Sequence, residues 1–305
     1  MTKQNNQQAL VIFDYSGTLS VEAPDFGKPD NLVRALAESG LAACGVATPD
    51  IFWERIVFPT WDEAGRTGVG FAKSMADRIA ELDLPISAET NISSTRELPY
   101  ASIAEAAGRF VSMYLAHSRP EPLWRPLLEK LHADSTLFVV IATDHYAEAT
   151  AAIVCYLHDW GITADRLKNG TSSPAIEHAA GRDNPPPPFL VANSADLGFW
   201  KADRPFWESV RKRLPYHFHH IVIIDDFGFN EADVAGYGML SRVRERRINT
   251  EAVLKDVFPT GVSTLPFLIQ RGDTRRQHAL HARILRTISK IEDILWDSNQ
   301  TGIIS

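Results

Sequence analysis

Two long apolar runs in this chain end directly in acidic residues. Residues 9–13 lead into Asp14, and a Gly-Thr turn follows shortly after. Residues 221–224 lead into Asp225 and Asp226. A continuous apolar run of this length predicts a strand that is buried on both faces, as in a parallel sheet. Because parallel strands open their carboxyl ends on one edge of a sheet, we expect the three carboxylates to converge there.

Two further apolar runs extend the predicted sheet. Residues 137–142 form a third strand, which ends at the hydroxyl residue Thr143. Residues 189–193 form a short strand that leads into a loop carrying Lys201, and a helix follows this loop. Each of these windows therefore places one polar side chain after a predicted strand.

Between the predicted strands at residues 9–13 and 137–142, apolar residues recur at helical spacing. The pattern is present in residues 31–36, 70–79 and 102–111. The whole stretch is far too long to be a loop inside a compact domain. We therefore expect residues 20–118 to form an α-helical cap inserted after the first strand.

The predicted fold is α/β, a doubly wound and mostly parallel sheet with this inserted cap. Its last part shows one apolar stripe, from Leu280 to Leu295, with spacings of four, four, three and four. The basic run at 242–247 includes a glutamate, so we interpret it as a solvated helical face. The predicted domains are a core from residues 1–19 and 119–240, a cap from 20–118, and a C-terminal helical extension, 241–305, packed on the core.

Composition excludes several classes of protein. A formal net charge of −7 argues against a general binder of nucleic acids or anionic membranes. Cys44 and Cys155 are too few for a disulfide framework and lack zinc-ligand spacing. The polar start predicts no signal peptide, and no apolar run reaches the ~20 residues of a membrane helix. We expect a soluble, cytoplasmic protein.

The predicted convergence of Asp14, Asp225 and Asp226 has an electrostatic consequence. Three carboxylates at short range repel one another, and a hard divalent cation relieves that repulsion. Mg²⁺ typically takes one or two protein carboxylates, with waters and substrate phosphate oxygens as its remaining ligands. The sequence therefore favours a divalent metal site at this edge of the sheet.

The order of these side chains along the chain resembles the four motifs of the haloacid dehalogenase-like superfamily. In that family, a nucleophilic carboxylate, a hydroxyl, a lysine and an acidic pair follow successive strands. Here Asp14, Thr143, Lys201 and the pair Asp225-Asp226 occupy those positions.

The resemblance spans roughly residues 10–239. The loop 194–206 is similar to the family pattern S-x-x-x-G-x-x-K-P-D-x-x-x-F, with Ala202 in place of the proline. The acidic window resembles G-D-x-x-x-D, with Asn230 where the family often has its second aspartate, and residues 236–239 keep the family's ending.

The resemblance implies hydrolysis of a small phosphorylated metabolite through an aspartyl-phosphate. Asp14 would attack phosphorus, and water would then cleave the acyl phosphate. Thr143 would donate a hydrogen bond to a phosphoryl oxygen, and Lys201 would neutralise charge beside Asp14. The transition state spreads its charge over equatorial oxygens, so catalysis would depend mostly on positioning and electrostatics.

The resemblance also implies a ligand set for Mg²⁺. An oxygen of Asp14, the carboxylate of Asp226 and the backbone carbonyl of Ser16 would hold the ion. Asp225 would be either a further ligand or an outer-sphere partner, and Asn230 would lie in the outer shell.

Ser16 departs from the usual family phosphatase, which has a general acid–base aspartate at this position. Serine can only hydrogen-bond there, so other branches of the family stay open. One is a phosphonoacetaldehyde hydrolase, which needs a cap lysine such as Lys28 or Lys73. The others are a dehalogenase, which usually lacks the acidic pair, and a catalytically silent binding protein. Asp144 and His145 are further candidates for lining the site.

The cap offers four more candidates for substrate contact. Aromatic residues in a helical cap more often form its core. The candidates are Trp53, Trp61, Arg66 and Lys73.

Overall fold

The structure is a computed structural model. It describes residues 8–82, 84, 99–169, 186–214, 217–230, 240–269 and 276–296.

One sheet of parallel strands forms the centre of the protein. The described strands are β1 (Ala9–Asp14), β2 (Leu137–Thr143), β3 (Ala164–Leu167), β4 (Phe189–Asn193), β5 (His220–Asp225) and β6 (Gly261–Pro266). Their order is β3-β4-β2-β1-β5-β6, and every pairing is parallel. All residues of β1 and β2 are buried, which explains their uninterrupted apolar sequences. The predicted α/β fold with a parallel sheet is confirmed.

The described helices either cover the faces of this sheet or lie in the segment between β1 and β2. They are α1 (Ala23–Phe26), α2 (Pro29–Ser39), a π-helix (Ile51–Val57), α3 (Phe58–Ala64), α4 (Phe71–Glu81), α5 (Tyr100–His117), a 3-10 turn (Pro122–Trp124), α6 (Arg125–Ala133), α7 (Ala147–Asp159), α8 (Ser194–Leu197), α9 (Arg204–Arg211), α10 (Leu240–Val257) and α11 (Arg276–Leu295).

The side chains of β1 alternate between two hydrophobic cores. Val11 and Phe13 pack on the face covered by α6, α7 and α11. Leu10 and Ile12 pack on the opposite face, against α9 and α10. Helices therefore cover both faces of the sheet. The ends of the strands, at the edges of the sheet, are the parts that stay uncovered.

Residues 20–118, which we call the helical insertion, lie between β1 and β2. They contain α1 to α5 and the π-helix. The insertion has a hydrophobic core of its own, in which Leu36, Phe52, Met75 and Phe110 are buried. Tyr146, which precedes α7, also packs into this core. The prediction of a helical segment after the first strand is confirmed.

A buried contact joins the insertion to the sheet domain at the start of α4. The carboxylate of Glu148, on α7, accepts hydrogen bonds from the backbone N–H groups of Phe71 (2.8 Å) and Ala72 (3.1 Å). It thereby caps two N–H groups that have no partner within the helix. Gly70 has a φ of +89°, and a Cβ there would lie 2.6 Å from Glu148 Oε1. Glycine is therefore required at this junction.

The C-terminal part differs from the predicted helical extension over residues 241–305. Strand β6 pairs with β5 and forms an edge of the core sheet. Phe267, Ile284 and Ile291 are buried in the same core as β1. The predicted helix with its apolar stripe from Leu280 to Leu295 does pack on the core. The correction is that this part is not helical alone, because β6 extends the sheet.

Among the helices that the structure describes, none combines the length and apolar character needed to span a bilayer.

Candidate active site

A polar cavity of about 60 Å³ lies at the carboxyl edge of the sheet. The six residues to which the resemblance assigns the reaction and the metal line this cavity: Asp14, Ser16, Thr143, Lys201, Asp225 and Asp226. They come from three strand ends and one loop, and are separated by up to about 210 residues in sequence. The predicted convergence of these side chains therefore exists in the structure.

Lys201 connects two of the carboxylates. Its Nζ donates to Asp14 Oδ1 at 2.6 Å and lies 2.8 Å from Asp225 Oδ2. Only 13% of the lysine side chain is exposed. Burial lowers the pKa of Lys201, but Asp14, Asp225 and Asp144 outweigh it and hold the pKa well above the ordinary value. The ammonium therefore stays charged at neutral pH.

The backbone of the lysine loop is fixed at the same point. The N–H of Lys201 donates to Asp144 Oδ1 at 2.7 Å, and its carbonyl accepts from Trp207 Nε1 at 2.7 Å. Trp207 is fully buried in α9. The backbone of Lys201 is thus held by the buried Trp207 on one side and by Asp144, which follows β2, on the other. These contacts also fix the position of the ammonium.

The acidic pair occupies a tight turn after β5. Asp225 Oδ1 accepts the N–H of Phe227 at 2.6 Å, and Asp226 Oδ1 accepts the N–H of Gly228 at 3.1 Å. Phe227 has a φ of +52°, which is in the left-handed region that side chains other than glycine rarely adopt. Such a conformation costs about 1 kcal/mol or more and is concentrated at functional sites.

The first turn after β1 is fastened to this acidic turn. Thr18 Oγ1 accepts the N–H of Asp226 at 3.1 Å. The amide of Asn230 donates to the carbonyls of Gly17 and Phe267, both at 2.7 Å, while its own N–H donates to Asp226 Oδ2 at 2.7 Å. Asn230 therefore positions Asp226 and the turn.

Gly17 cannot be replaced without moving the acidic pair. Its φ is +75°, and a Cβ at this position would lie only 2.7 Å from Asp226 Oδ2. The close approach brings Asp14 and Asp226 together across the two turns. The Gly-Thr turn after Asp14 is thus explained by packing as well as by backbone conformation.

The carboxylates of Asp14, Asp225 and Asp226 form a set whose oxygens lie within 4.8 Å of one another. All three residues are buried. Two cationic side chains, Lys201 and Arg246, line the same cavity, so the three carboxylates exceed them by one formal negative charge. Carboxylate oxygens with this excess charge suit a hard divalent cation.

Asp144 and His145 lie directly after β2 and differ in environment. Burial raises the pKa of Asp144 to about 6, although the charge of Lys201 opposes this shift. Burial lowers the pKa of His145 to about 4. His145 Nδ1 accepts the N–H of Tyr146 at 2.8 Å, so its proton is on Nε2, which lies 2.9 Å from the Tyr114 hydroxyl. His145 is therefore neutral at pH 7.

Sequence reasoning missed Arg246 and Thr250, which also line the polar cavity. Arg246 Nε donates to the carbonyl of Phe227 at 2.7 Å, so the guanidinium is held beside the strained turn. The signal was a spacing of four residues from Arg242 to Arg246 to Thr250, which places them on one face of α10. Arg242 and Arg244 are exposed, as expected for a solvated face, whereas Arg246 is half-buried and faces the cavity.

A second and larger cavity, of about 360 Å³, adjoins the polar one. Ser16 and Asp144 line both cavities. Its remaining walls come mainly from the helical insertion and are mostly aromatic: Phe26, Phe52, Trp53, Phe58, Trp61, Phe71, Phe110, Tyr114 and Tyr146. We call this the aromatic cavity.

The other predicted insertion residues do not line either cavity. Lys28 pairs with Asp25, and Lys73 pairs with Asp77, with 48% and 61% of the lysine side chains exposed. Arg66 lies over the ring of Trp200, with 5.7 Å between the guanidinium carbon and the ring centroid. Of the four candidates, only the two tryptophans therefore face the cavity.

Comparison with known proteins identifies no relative: the sequence matches no protein-family model and no curated protein. The residues predicted at 236–239 as the end of the acidic motif lie outside the described part of the chain.

Proposed function

We propose that this protein is a Mg²⁺-dependent hydrolase of the haloacid dehalogenase-like type, which cleaves a small phosphate ester through Asp14. One observation carries the proposal. A carboxylate, a hydroxyl, a lysine and an acidic pair, in the chain order typical of that family, line one polar cavity at the sheet edge. The helical insertion would then be the cap that covers the site.

In the proposed reaction, an oxygen of Asp14 attacks phosphorus, and the ester oxygen leaves with the bonding electrons and takes a proton from solvent water. Water then attacks the aspartyl-phosphate, which releases inorganic phosphate and restores the carboxylate. Lys201, at 2.6 Å from Asp14, would orient the nucleophile and lower the negative charge that the phosphate meets.

Two further groups of the chain have proposed roles around the phosphoryl oxygens. Thr143, at the end of β2, and Arg246, on α10, line the cavity and are hydrogen-bond donors. The guanidinium adds a second positive charge where the transition state gathers negative charge. A Mg²⁺ ion held by Asp14, Asp226 and the Ser16 carbonyl would supply further charge stabilisation when bound.

The exposure of the insertion's lysines supports this reaction over a Schiff-base mechanism. A lysine that attacks an aldehyde must face the substrate, yet Lys28 and Lys73 are ion-paired and away from the lining of both cavities. The acidic pair likewise favours a metal-dependent reaction over that of a dehalogenase.

The test is a screen of phosphate monoesters and phosphonates, each with Mg²⁺ and with EDTA. We expect Mg²⁺-dependent release of inorganic phosphate, which Asp14→Asn abolishes. Asp62→Asn is the matched control, because this substitution makes the same chemical change at a side chain that is 75% exposed. Equal activity in EDTA, or phosphate release by Asp14→Asn, would contradict the proposal. Mg²⁺ and phosphate binding without turnover would identify a silent binding protein.

A further inference from the structure

The two cavities adjoin each other, because Ser16 and Asp144 line both. The polar part, at about 60 Å³, has room for little more than a phosphoryl group and a few waters. The aromatic cavity, at about 360 Å³, is within the range of small-molecule sites in proteins. A phosphate on Asp14 would therefore place the rest of its molecule in the aromatic cavity.

The walls of the aromatic cavity present few polar groups to that molecule. The charged lining residues are Asp144, at the junction with the polar cavity, and Arg242, an exposed residue of α10. Tyr114 and His145 hydrogen-bond to each other, and the second imidazole nitrogen accepts a backbone N–H. A sugar or nucleoside would lose water from its hydroxyls here and regain few hydrogen bonds.

The exposure of aromatic rings around this cavity also favours an apolar ligand. Phe58 lines the cavity although 45% of it is accessible to solvent. Trp53 and Trp61, which also line it, are only partly buried. Aromatic rings that remain exposed around a concave site gain contact area and ring–ring interactions when a ligand covers them.

We infer that the substrate is the phosphate ester of an uncharged, apolar alcohol, with an aromatic ring system of about two fused rings seated in the aromatic cavity. This inference rests on the proposed function and adds the substrate class to it.

The test compares two primary alkyl phosphates, so that the leaving groups are alike. We expect kcat/KM for 2-(2-naphthyl)ethyl phosphate to exceed that for glucose 6-phosphate at least ~100-fold, because only the naphthyl group gains apolar burial. Phe58→Ala should raise KM for the naphthyl ester about fivefold, since it removes part of one wall. Leu285→Ala, a truncation at a residue that is 56% exposed on α11, is the matched control and should change neither constant.

A binding measurement separates this inference from the proposed function. 2-Naphthol, which carries no phosphate, should quench the tryptophan fluorescence of Asp14→Asn, and Phe58→Ala should weaken that binding. Naphthol binding without hydrolysis of any ester would support the apolar site and refute the proposed hydrolase. Hydrolysis that favours glucose 6-phosphate, or naphthol binding that Phe58→Ala leaves unchanged, would overturn the inference while the hydrolase proposal stands.

Discussion

Replacing Asp144 with asparagine should stabilise the protein at neutral and alkaline pH. The carboxyl lies between the two cavities and accepts the N–H of Lys201 at 2.7 Å. An asparagine oxygen can accept the same hydrogen bond, so the substitution keeps the geometry and removes only the ionisation.

The sign follows from the pKa of Asp144, which burial raises from 3.8 to about 6. As pH rises through this window, the unfolded chain ionises first, and the wild-type protein loses stability relative to the variant. A rise of about two in the pKa of a carboxyl group corresponds to a loss of ~3 kcal/mol at most in the free energy of unfolding. Because the side chain faces both cavities and meets water there, we expect a gain of ~1–2 kcal/mol above pH 7.

The assay is urea unfolding of the wild type and Asp144→Asn at pH 4.5 and pH 8, with EDTA to remove cations. The stability difference should grow in favour of the variant between the two pH values. Asp62→Asn, at an exposed carboxyl, controls for the general effect of losing an acidic residue. A difference that stays constant with pH, or that favours the wild type at pH 8, would refute the reasoning.

Three further predictions concern the polar cavity. Ser16→Asp should raise hydrolysis of alkyl phosphates by up to ~10², and that of aryl phosphates much less, because only poor leaving groups need a proton donor; equal gains in steady-state assays of both classes would contradict the role of Ser16. Lys201→Met should lower the free energy of unfolding in EDTA by about 3 kcal/mol, because it leaves buried carboxylates without their cation. Lys73→Met, at an ion pair whose lysine side chain is 61% exposed, should cost less than ~1 kcal/mol in the same denaturation experiment, and similar costs for both would refute the assignment. Asp226→Asn should weaken Mg²⁺ binding ~10-fold or more in calorimetry, and unchanged affinity would exclude it as a ligand.

The central strands and their polar ends could be predicted because burial on both faces leaves an unmistakable sequence. In β1 and β5, apolar residues run without interruption up to Asp14 and Asp225. Parallel pairing then places those acids on one edge, so local pattern and topology together determine the site. Lys201 was predictable only from its position in the ordered set of motifs.

The edge strands could not be predicted for the opposite reason. Strand β3 has the sequence Ala-Asp-Arg-Leu, and its middle residues are exposed. Strand β6, Gly-Val-Ser-Thr-Leu-Pro, is only partly buried along most of its length. Neither shows the continuous run of a buried strand or a sustained alternation, so pairing with a neighbour, and not sequence pattern, determines their conformation.

The aromatic cavity could not be predicted from the sequence either. Trp53 and Trp61 have the same helical spacing as core residues such as Phe52, and the sequence does not distinguish a ring that fills a core from one that lines a space. Arg246 likewise belongs to a charged run whose orientation depends on how α10 packs against α9. These features depend on the relative placement of elements that are distant in sequence.

The most direct test of the central claim is a rapid-quench experiment with a ³²P-labelled phosphate ester and Mg²⁺. We predict an acid-stable, hydroxylamine-sensitive phosphoenzyme whose label maps to the peptide carrying Asp14, and no label on Asp14→Asn. Turnover without a labelled enzyme, or a label that persists in Asp14→Asn, would contradict the assignment of Asp14 as the nucleophile.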